Sequence, residues 1–187
     1  AGYYPGAQAI TLKLVYCAET GKVLGAQAVG GEGVDKRIDV IATALAFGAT
    51  VYQLAGLDLC YAPPFGSAKD IVHVAAFAAC NDLEKESPLV HADTPKNAAQ
   101  FVDVRTVVEH TACCHPAAVN IPVDDLRARV GELDPNKETL VTCQSGLRAH
   151  IAARILKQHG FADVKNLTGG MMMQQRVCPE ELNTPAK

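Results

Sequence analysis

The residues best suited to chemistry lie in segment 143–148, which begins with a cysteine and ends with an arginine. The β-branched stretch before Cys143 predicts a strand, and the apolar residues after Arg148 recur at helical spacing. A cysteine at such a junction lies near backbone N–H groups and the positive end of a helix dipole, which favour its thiolate. Gly146 permits the tight turn, and Arg148 adds a positive charge. We therefore predict that Cys143 is a nucleophile, and the same dipoles would stabilise the terminal sulfur of a persulfide formed on it.

Segment 143–148 resembles the active-site loop of the rhodanese family, and three further stretches agree with it in the right order. Residues 103–105 (Asp-Val-Arg) resemble the D-V-R of that family's first strand. Residues 117–122 resemble its G-A-x-N-I-P segment, with Ala117 in place of the more usual Gly. Gly169-Gly170 falls where the last strand of the family turns. The resemblance covers residues from about 97 to 172.

This resemblance implies a single rhodanese module in which Cys143 and Arg148 are the catalytic residues and Cys143 cycles between thiol and persulfide. The amides that would form the anion cradle belong to the residues between them, Gln144, Ser145, Gly146 and Leu147. Asp103 and Arg105 either line the entrance to the site or form a structural ion pair, and the ion pair is favoured.

A second family uses the same loop architecture. Protein tyrosine phosphatases and the related arsenate reductases have five residues between the cysteine and the arginine, whereas four residues separate Cys143 from Arg148. A shorter loop narrows the ring of amides, so a sulfane sulfur fits better than a tetrahedral phosphate. Phosphatase or arsenate reductase-like chemistry remains the alternative for this loop.

Four potential metal ligands crowd together ahead of the loop, and these are His110, Cys113, Cys114 and His115. They lie within six positions and have no second well-spaced pair, so we predict an ordinary loop and no metal site. A redox switch between the vicinal cysteines stays open. The seven cysteines of the chain are odd in number and scattered, which indicates reduced thiols.

The composition is that of a globular protein, with 49% hydrophobic and 20% charged residues. A net charge of −3 without basic runs argues against nucleic-acid or membrane-surface binding. No apolar stretch approaches the roughly 20 residues that span a bilayer, and the N-terminus lacks a signal region. We therefore expect a cytoplasmic protein. The missing initiator Met suggests a piece of a longer chain.

The first half predicts an antiparallel hairpin, from residues 10–17 and 22–29, followed by two helices that end near residues 47 and 81. Their predicted inward stripes are Ile38, Ile41, Ala42, Leu45 and Ala46 in the first helix and Ile71, Val74, Ala75 and Ala78 in the second. Gly30, Gly31 and Gly33 do not form a G-x-G-x-x-G motif, so we interpret them as a turn and not as a dinucleotide site.

The hairpin-helix order and the run 57–65 resemble the dimerisation domain of flavin-dependent pyridine nucleotide-disulfide oxidoreductases. Residues 3–6 and 61–65 resemble in particular the branch that reduces coenzyme A disulfide or persulfide or oxidises NADH. This resemblance implies a homodimer in which Tyr61, and one of Tyr3 and Tyr4, reach the partner's redox cysteine and the coenzyme A thiol. The alternative is that Tyr61 only anchors an interface.

Together these patterns predict an α+β dimerisation domain with an antiparallel sheet, followed by an α/β rhodanese domain with a parallel sheet and helices on both faces. The predicted bounds are 1–82 for the first domain, 83–96 for a linker, 97–172 for the second domain and 173–187 for a partly disordered tail.

The combined resemblance implies a parent reductase that needs FAD, NAD(P)H and coenzyme A, none of which this chain binds by itself. Its expected small-molecule partners are polysulfide, thiosulfate and coenzyme A persulfide or disulfide. NADH and NADPH are not distinguished. A non-catalytic dimerisation and docking role is the alternative to sulfur transfer.

Overall fold

A computed structural model describes residues 2–94 and 100–183 of the chain. The chain divides into two compact units, an N-terminal unit, Ala1–Glu84, and a C-terminal unit, Lys85–Lys187. Among the described residues, every helix is too short or too polar to cross a lipid bilayer.

The N-terminal unit contains a two-stranded antiparallel sheet and three helices. In chain order the elements are β1 (Ile10–Tyr16), β2 (Val23–Gly30), α1 (Val34–Ala46), α2 (Val51–Ala55) and α3 (Ile71–Leu83). The hairpin pairs Ile10 with Gly30, and Gly21 closes its turn at φ 68°. The predicted antiparallel hairpin and its helices are therefore confirmed.

The buried faces of α1 and α3 differ from those that the apolar spacing predicted. In α1 the buried residues are Arg37 and Ile41, whereas Ala42, Leu45 and Ala46 are exposed. In α3 the buried residues are Val72, His73, Ala76 and Ala79, and Val74 is exposed. Ile41 is buried as predicted, but both helices carry apolar residues on two sides, so spacing alone did not identify the whole buried face. Arg37 and His73 lie on the buried side, where they make polar contacts.

The C-terminal unit is built on a five-stranded parallel sheet in the order β3-β7-β6-β4-β5. Its strands are β3 (Leu89–Val90), β4 (Gln100–Asp103), β5 (Ala118–Asn120), β6 (Thr139–Thr142) and β7 (Val164–Leu167). Its α-helices are α4 (Val107–Ala112), α5 (Leu126–Arg129), α6 (Leu147–Gln158) and α7 (Gly170–Val177). The predicted parallel α/β sheet is confirmed.

Side chains of the central strands and of α6 form the core of this unit. Val102, Val141 and Val164 lie on one face of the sheet and pack with Ala152 and Leu156 of α6. Ile151 is one of the apolar residues whose helical spacing after Arg148 predicts an inward position, but it is exposed, so that part of the prediction is wrong. A smaller cluster on the other face contains Phe101, Leu140 and Leu167. The central strands are thus covered on both faces, which is typical of a parallel sheet.

Two segments predicted to lack regular structure contain it. In the predicted linker 83–96, β3 pairs with β7, and its two residues are too few for a sequence pattern to mark. In the predicted tail, α7 continues to Val177, and Asn183 forms a backbone bridge with Cys114. Residues 95–99 and 184–187, which include parts of both segments and of the predicted domain start at 97, lie outside the described residues.

Candidate active site

Cys143 lies where β6 ends and the chain turns toward α6. Every residue of β6 is buried, and Cys143 is 1% exposed. Gly146 caps the N-terminus of α6 at φ 116°, and its amide donates a hydrogen bond to Cys143 Sγ over 3.0 Å. Because a Cβ strains this backbone conformation, the turn favours glycine. The thiol therefore meets a backbone donor at the positive end of a 12-residue helix.

Residues of β7 and of the first turn of α7 hold the loop 143–148 in place through hydrogen bonds. The Met171 amide donates to the Cys143 carbonyl oxygen over 2.8 Å, and the Met172 amide donates to the Gln144 carbonyl oxygen over 3.1 Å. From β7, Asn166 Nδ2 donates to the Gly146 carbonyl oxygen over 3.1 Å. These contacts fix the backbone of the loop independently of any side chain within it.

The remaining loop residues lie nearer to solvent. Gln144 is half-buried, whereas Ser145 and Leu147 are exposed. Within the described residues, the hydrogen bond to Sγ comes from Gly146. A wider cradle that includes the amides of Gln144, Ser145 and Leu147 stays a prediction.

Arg148 forms a two-pronged ion pair with Glu109 of α4. Its Nη1 and Nη2 donate to the two carboxylate oxygens over 2.8 and 2.7 Å. Glu109 is placed by a capping box, since Thr106 Oγ1 accepts from the Glu109 amide and Glu109 Oε2 accepts from the Thr106 amide. The hydrogen bonds from Arg148 hold the pKa of Glu109 at about 2, and the same hydrogen bonds raise the pKa of Arg148. The pair therefore stays charged across the physiological pH range.

Asp103 and Arg105 form a buried ion pair beside the loop, as predicted. Arg105 Nη2 donates to Asp103 Oδ2 over 2.6 Å and to the Cys113 carbonyl oxygen over 2.6 Å. His110 Nδ1 lies 2.8 Å from the same carboxylate oxygen. Asn120 Nδ2 donates to the carbonyl oxygens of Asp103 and Arg105, both over 2.9 Å. The network ties the ends of β4 and β5 to the segment that follows α4.

The other residues considered as metal ligands have separate contacts. Cys114 pairs its backbone with Asn183, and the His115 ring lies 5.0 Å from the Phe101 ring. Burial raises the pKa of the Cys114 thiol, and the negative charge of Asp103 raises it further. Within residues 2–94 and 100–183, no group of three or more ligating side chains is placed to hold a metal ion. The seven cysteines, all within the described residues, are present as thiols and not as disulfides, and a switch between Cys113 and Cys114 stays a prediction.

In the N-terminal unit, the run 57–65 is held at both ends by buried polar side chains. His73 Nε2 lies 2.8 Å from the Leu57 carbonyl oxygen. Arg37 Nη2 donates to the Phe65 carbonyl oxygen over 3.1 Å and to Asp70 over 2.7 Å. Tyr61, between these anchors, is 54% exposed.

Tyr3 and Tyr4 are exposed as well. The predicted roles of these two residues and of Tyr61 at a partner subunit stay predictions.

The glycines after β2 do not form a phosphate cradle. Gly33 caps α1 at φ 81°, and Arg37 Nη1 donates to its carbonyl oxygen over 3.1 Å. A side chain at Gly31 would overlap the side chain of Gln8, so the space beside this turn is filled. The segment does not fit the pyrophosphate of FAD or NAD(P)H, which needs open backbone amides.

Three structural partners of the loop 143–148 were not identified from the sequence. Glu109 could have been identified from the sequence, because Thr106-x-x-Glu109 is the pattern of a capping box that starts a helix. No such pattern marks Asn166 and Met171, since their contacts join β7 and α7 to a loop 20 or more positions earlier in the chain.

The chain is similar to known proteins along most of its length. The family model "Rhodanese-like domain" matches residues 89–173, and "Pyridine nucleotide-disulphide oxidoreductase, dimerisation domain" matches residues 1–75. A coenzyme A disulfide reductase of Staphylococcus epidermidis is 39% identical over 79 residues. That match covers 42% of this chain and 18% of the relative.

Two solved structures match both units. The reduced Bacillus anthracis CoADR-RHD is 40% identical with a TM-score of 0.92, and the match covers 97% of this chain and 33% of that one. The NAD-dependent persulfide reductase from A. fulgidus is 41% identical with a TM-score of 0.81, and the match covers 92% and 31%. The chain thus spans about a third of these proteins. It joins a pyridine nucleotide-disulphide oxidoreductase dimerisation domain to a rhodanese-like domain.

Proposed function

We propose that the C-terminal unit transfers sulfur, with Cys143 as the residue that carries it. The Cys143 thiolate attacks the sulfane sulfur of a donor, a new S–S bond forms, and the bond between that sulfur and the rest of the donor breaks. The electron pair of the broken bond leaves with the donor, so Cys143 holds a persulfide and no net oxidation occurs. An acceptor thiolate then attacks the outer sulfur and releases the Cys143 thiolate.

The observation that carries this proposal is the hydrogen bond from the Gly146 amide to Cys143 Sγ at the start of α6. A backbone donor and a helix N-terminus stabilise negative charge on sulfur, both in the thiolate and in the terminal atom of a persulfide. Asn166 and Met171 hold the loop in this geometry. The engagement of Arg148 by Glu109 supports sulfur transfer over phosphate chemistry, since a phosphate loop needs its arginine for the substrate.

Intact-mass measurement after brief exposure to polysulfide tests the proposal. The unaltered chain should gain about 32 Da, the mass of one sulfur, and lose it again when cyanide or coenzyme A is added. Cys143→Ser should abolish this gain. Cys60→Ser is the matched control, because Cys60 is an exposed thiol of the other unit, and it should leave the gain intact. A chain that takes up no sulfur at Cys143 would favour the docking role.

The N-terminal unit is the proposed site of homodimerisation. The helix faces that its own core leaves uncovered are apolar, with Leu45 on α1 and with Val74 and Phe77 on α3. Phe47, directly after α1, is 87% exposed. Burying such side chains in an interface stabilises it by removing apolar surface from water.

The chain as a whole is proposed to serve a flavin- and NAD(P)H-dependent reductase of coenzyme A disulfide, coenzyme A persulfide or polysulfide. The match of both units to a CoADR-RHD and to a persulfide reductase supports this role. FAD and NAD(P)H would bind residues other than those described, so the steps assigned to this chain are sulfur loading, dimer formation and presentation of Tyr61. The native reductase that contains this chain, when isolated from its source, should contain flavin. It should oxidise NADH or NADPH when coenzyme A persulfide is added. Isolation without flavin would contradict the reductase role.

A further inference from the structure

Glu109 removes the positive charge that Arg148 would otherwise offer to a substrate of the Cys143 loop. Both carboxylate oxygens of Glu109 are bonded to Arg148, at 2.7 and 2.8 Å, and Arg148 is the residue that follows the loop into α6. Each side chain of the pair is about one-third exposed, so its electrostatic field reaches the solvent. The pair carries no net charge. A donor with two negative charges therefore gains little attraction there.

Exposed apolar side chains lie next to both members of this ion pair along the chain. Leu147, within the loop, is 69% exposed, and Val108, next to Glu109, is 79% exposed. Val107 and Met172 are exposed too, and the Met172 amide contacts the loop at Gln144. These four residues, Val107, Val108, Leu147 and Met172, are named the apolar rim. Apolar surface binds uncharged organic groups better than it binds hydrated anions.

We propose that Glu109 sets the donor preference of the Cys143 site, so that persulfides carried on an uncharged organic chain are used in preference to dianions such as thiosulfate. The inference rests on the proposed sulfur transfer at Cys143 and specifies its substrate class. Glu109 acts through Arg148 by cancelling its charge, and the apolar rim contacts the organic chain of the donor.

The two donors place different charges at the site while transferring the same atom. With an organic persulfide, R–S–SH, the Cys143 thiolate attacks the outer sulfur, the S–S bond breaks, and R–S⁻ leaves with the electron pair. The proton stays on the transferred sulfur. With thiosulfate, the thiolate attacks the sulfane sulfur and sulfite leaves as a dianion. The second reaction brings three negative charges together, so an uncancelled Arg148 would assist it far more.

The test compares the rates at which Cys143 is loaded by thiosulfate and by N-acetylcysteamine persulfide, followed by intact mass. Glu109→Gln keeps the size of the side chain and one acceptor oxygen but restores the net charge of Arg148. The ratio of the thiosulfate rate to the persulfide rate should rise by about three- to tenfold. Added salt should lower the thiosulfate rate of this variant more steeply than that of the unaltered chain. Glu132→Gln is the matched control, since Glu132 forms a similar pair with the exposed Arg129, and it should leave the ratio unchanged.

Val108→Lys is a second test variant, and it leaves Glu109 and its capping contacts in place. A lysine at this exposed position adds a positive charge and removes part of the apolar rim, so the same ratio should rise. If neither variant changes the ratio, or if both rates fall in proportion, Glu109 has only a structural role and the inference is wrong. Failure of the proposed function looks different, because the unaltered chain would then accept sulfur from neither donor at Cys143.

Discussion

Gly170 lies directly against the carbonyl group of Cys143, with no room between them for a side chain. A Cβ at Gly170 would overlap the Cys143 carbonyl oxygen, and the residue has a φ of 55°. The neighbouring Met171 amide then reaches that oxygen over 2.8 Å. The glycine pair after β7 thus allows the backbone of α7 to support the loop that contains Cys143.

Gly170→Ala should therefore lower both stability and sulfur loading. The overlap and the positive φ together should reduce the free energy of unfolding of the C-terminal unit by about 2 kcal/mol or more. Urea unfolding measures this change. Gly131→Ala is the control, since nothing lies within 4 Å of a Cβ there, and its effect should stay within about 0.5 kcal/mol. Equal effects of the two substitutions would show that the close contact at Cys143 is unimportant.

Asp103→Asn should destabilise the C-terminal unit strongly. The substitution removes the charge that faces the buried Arg105 guanidinium, and an uncompensated buried charge costs about 3–5 kcal/mol. Thermal or urea unfolding gives the change. Replacing Arg105 with Met in the same chain should recover much of the loss, because it removes the unpaired charge. A double variant as unstable as Asp103→Asn alone would contradict the assignment of the loss to that charge.

Acid unfolding should report the ion pair between Glu109 and Arg148. The pKa of Glu109 lies at about 2 in the folded chain, below its usual value of 4.5. A lowered folded pKa contributes stability above the unfolded value, and that contribution is lost as the pH falls from about 4.5 toward about 2. Glu109→Gln should lose less stability over this interval than the unaltered chain, as measured by urea midpoints at several pH values. Identical pH profiles would mean that the pair contributes nothing to folding.

Arg37→Met should loosen the run 57–65. Arg37 is buried and links Asp70 to the Phe65 carbonyl oxygen, so its loss leaves a carboxylate and a carbonyl group without their donor. We expect faster hydrogen exchange in this run and about 3 kcal/mol less stability of the N-terminal unit. Arg129→Met, at an exposed ion pair, is the control and should cost less than about 1 kcal/mol. Unchanged hydrogen exchange in residues 57–65 would contradict the prediction that Arg37 holds this run in place.

Sedimentation should detect a dimer at micromolar concentration. Phe77→Glu on the uncovered face of α3 should shift the chain toward monomer, because a charge would enter the apolar interface. Val119→Glu is the control, since Val119 is exposed on β5 of the C-terminal unit, and it should not change the sedimentation coefficient. A monomeric unaltered chain would contradict the dimer proposal.

Local sequence patterns were sufficient to predict the strand, the cysteine and the helix around position 143. The required signals are contiguous there: a β-branched strand, a glycine in the turn and apolar residues at helical spacing. The same holds for the Asp103–Arg105 ion pair, whose two charges are two positions apart in the chain. The local backbone conformation alone places residues that are so close in sequence near each other.

The buried faces of α1 and α3 show where this reasoning fails. Spacing placed Leu45 and Val74 inside, whereas the structure buries Arg37 and His73 and leaves both apolar residues exposed. A helix that is apolar on two sides has no single amphipathic direction, so its orientation depends on partners elsewhere in the chain. For Arg37 that partner is Asp70, 33 positions away.

The sequence by itself thus predicted the hairpin, the parallel sheet, the two domain types and the strand–Cys143–helix junction. Tertiary structure decided what surrounds Cys143, because Glu109, Asn166 and Met171 reach the loop through contacts between separate elements. It also decided that the charge of Arg148 is cancelled, since the carboxylate of Glu109 lies 39 positions earlier in the chain and meets Arg148 in the folded unit, where β4 pairs with β6.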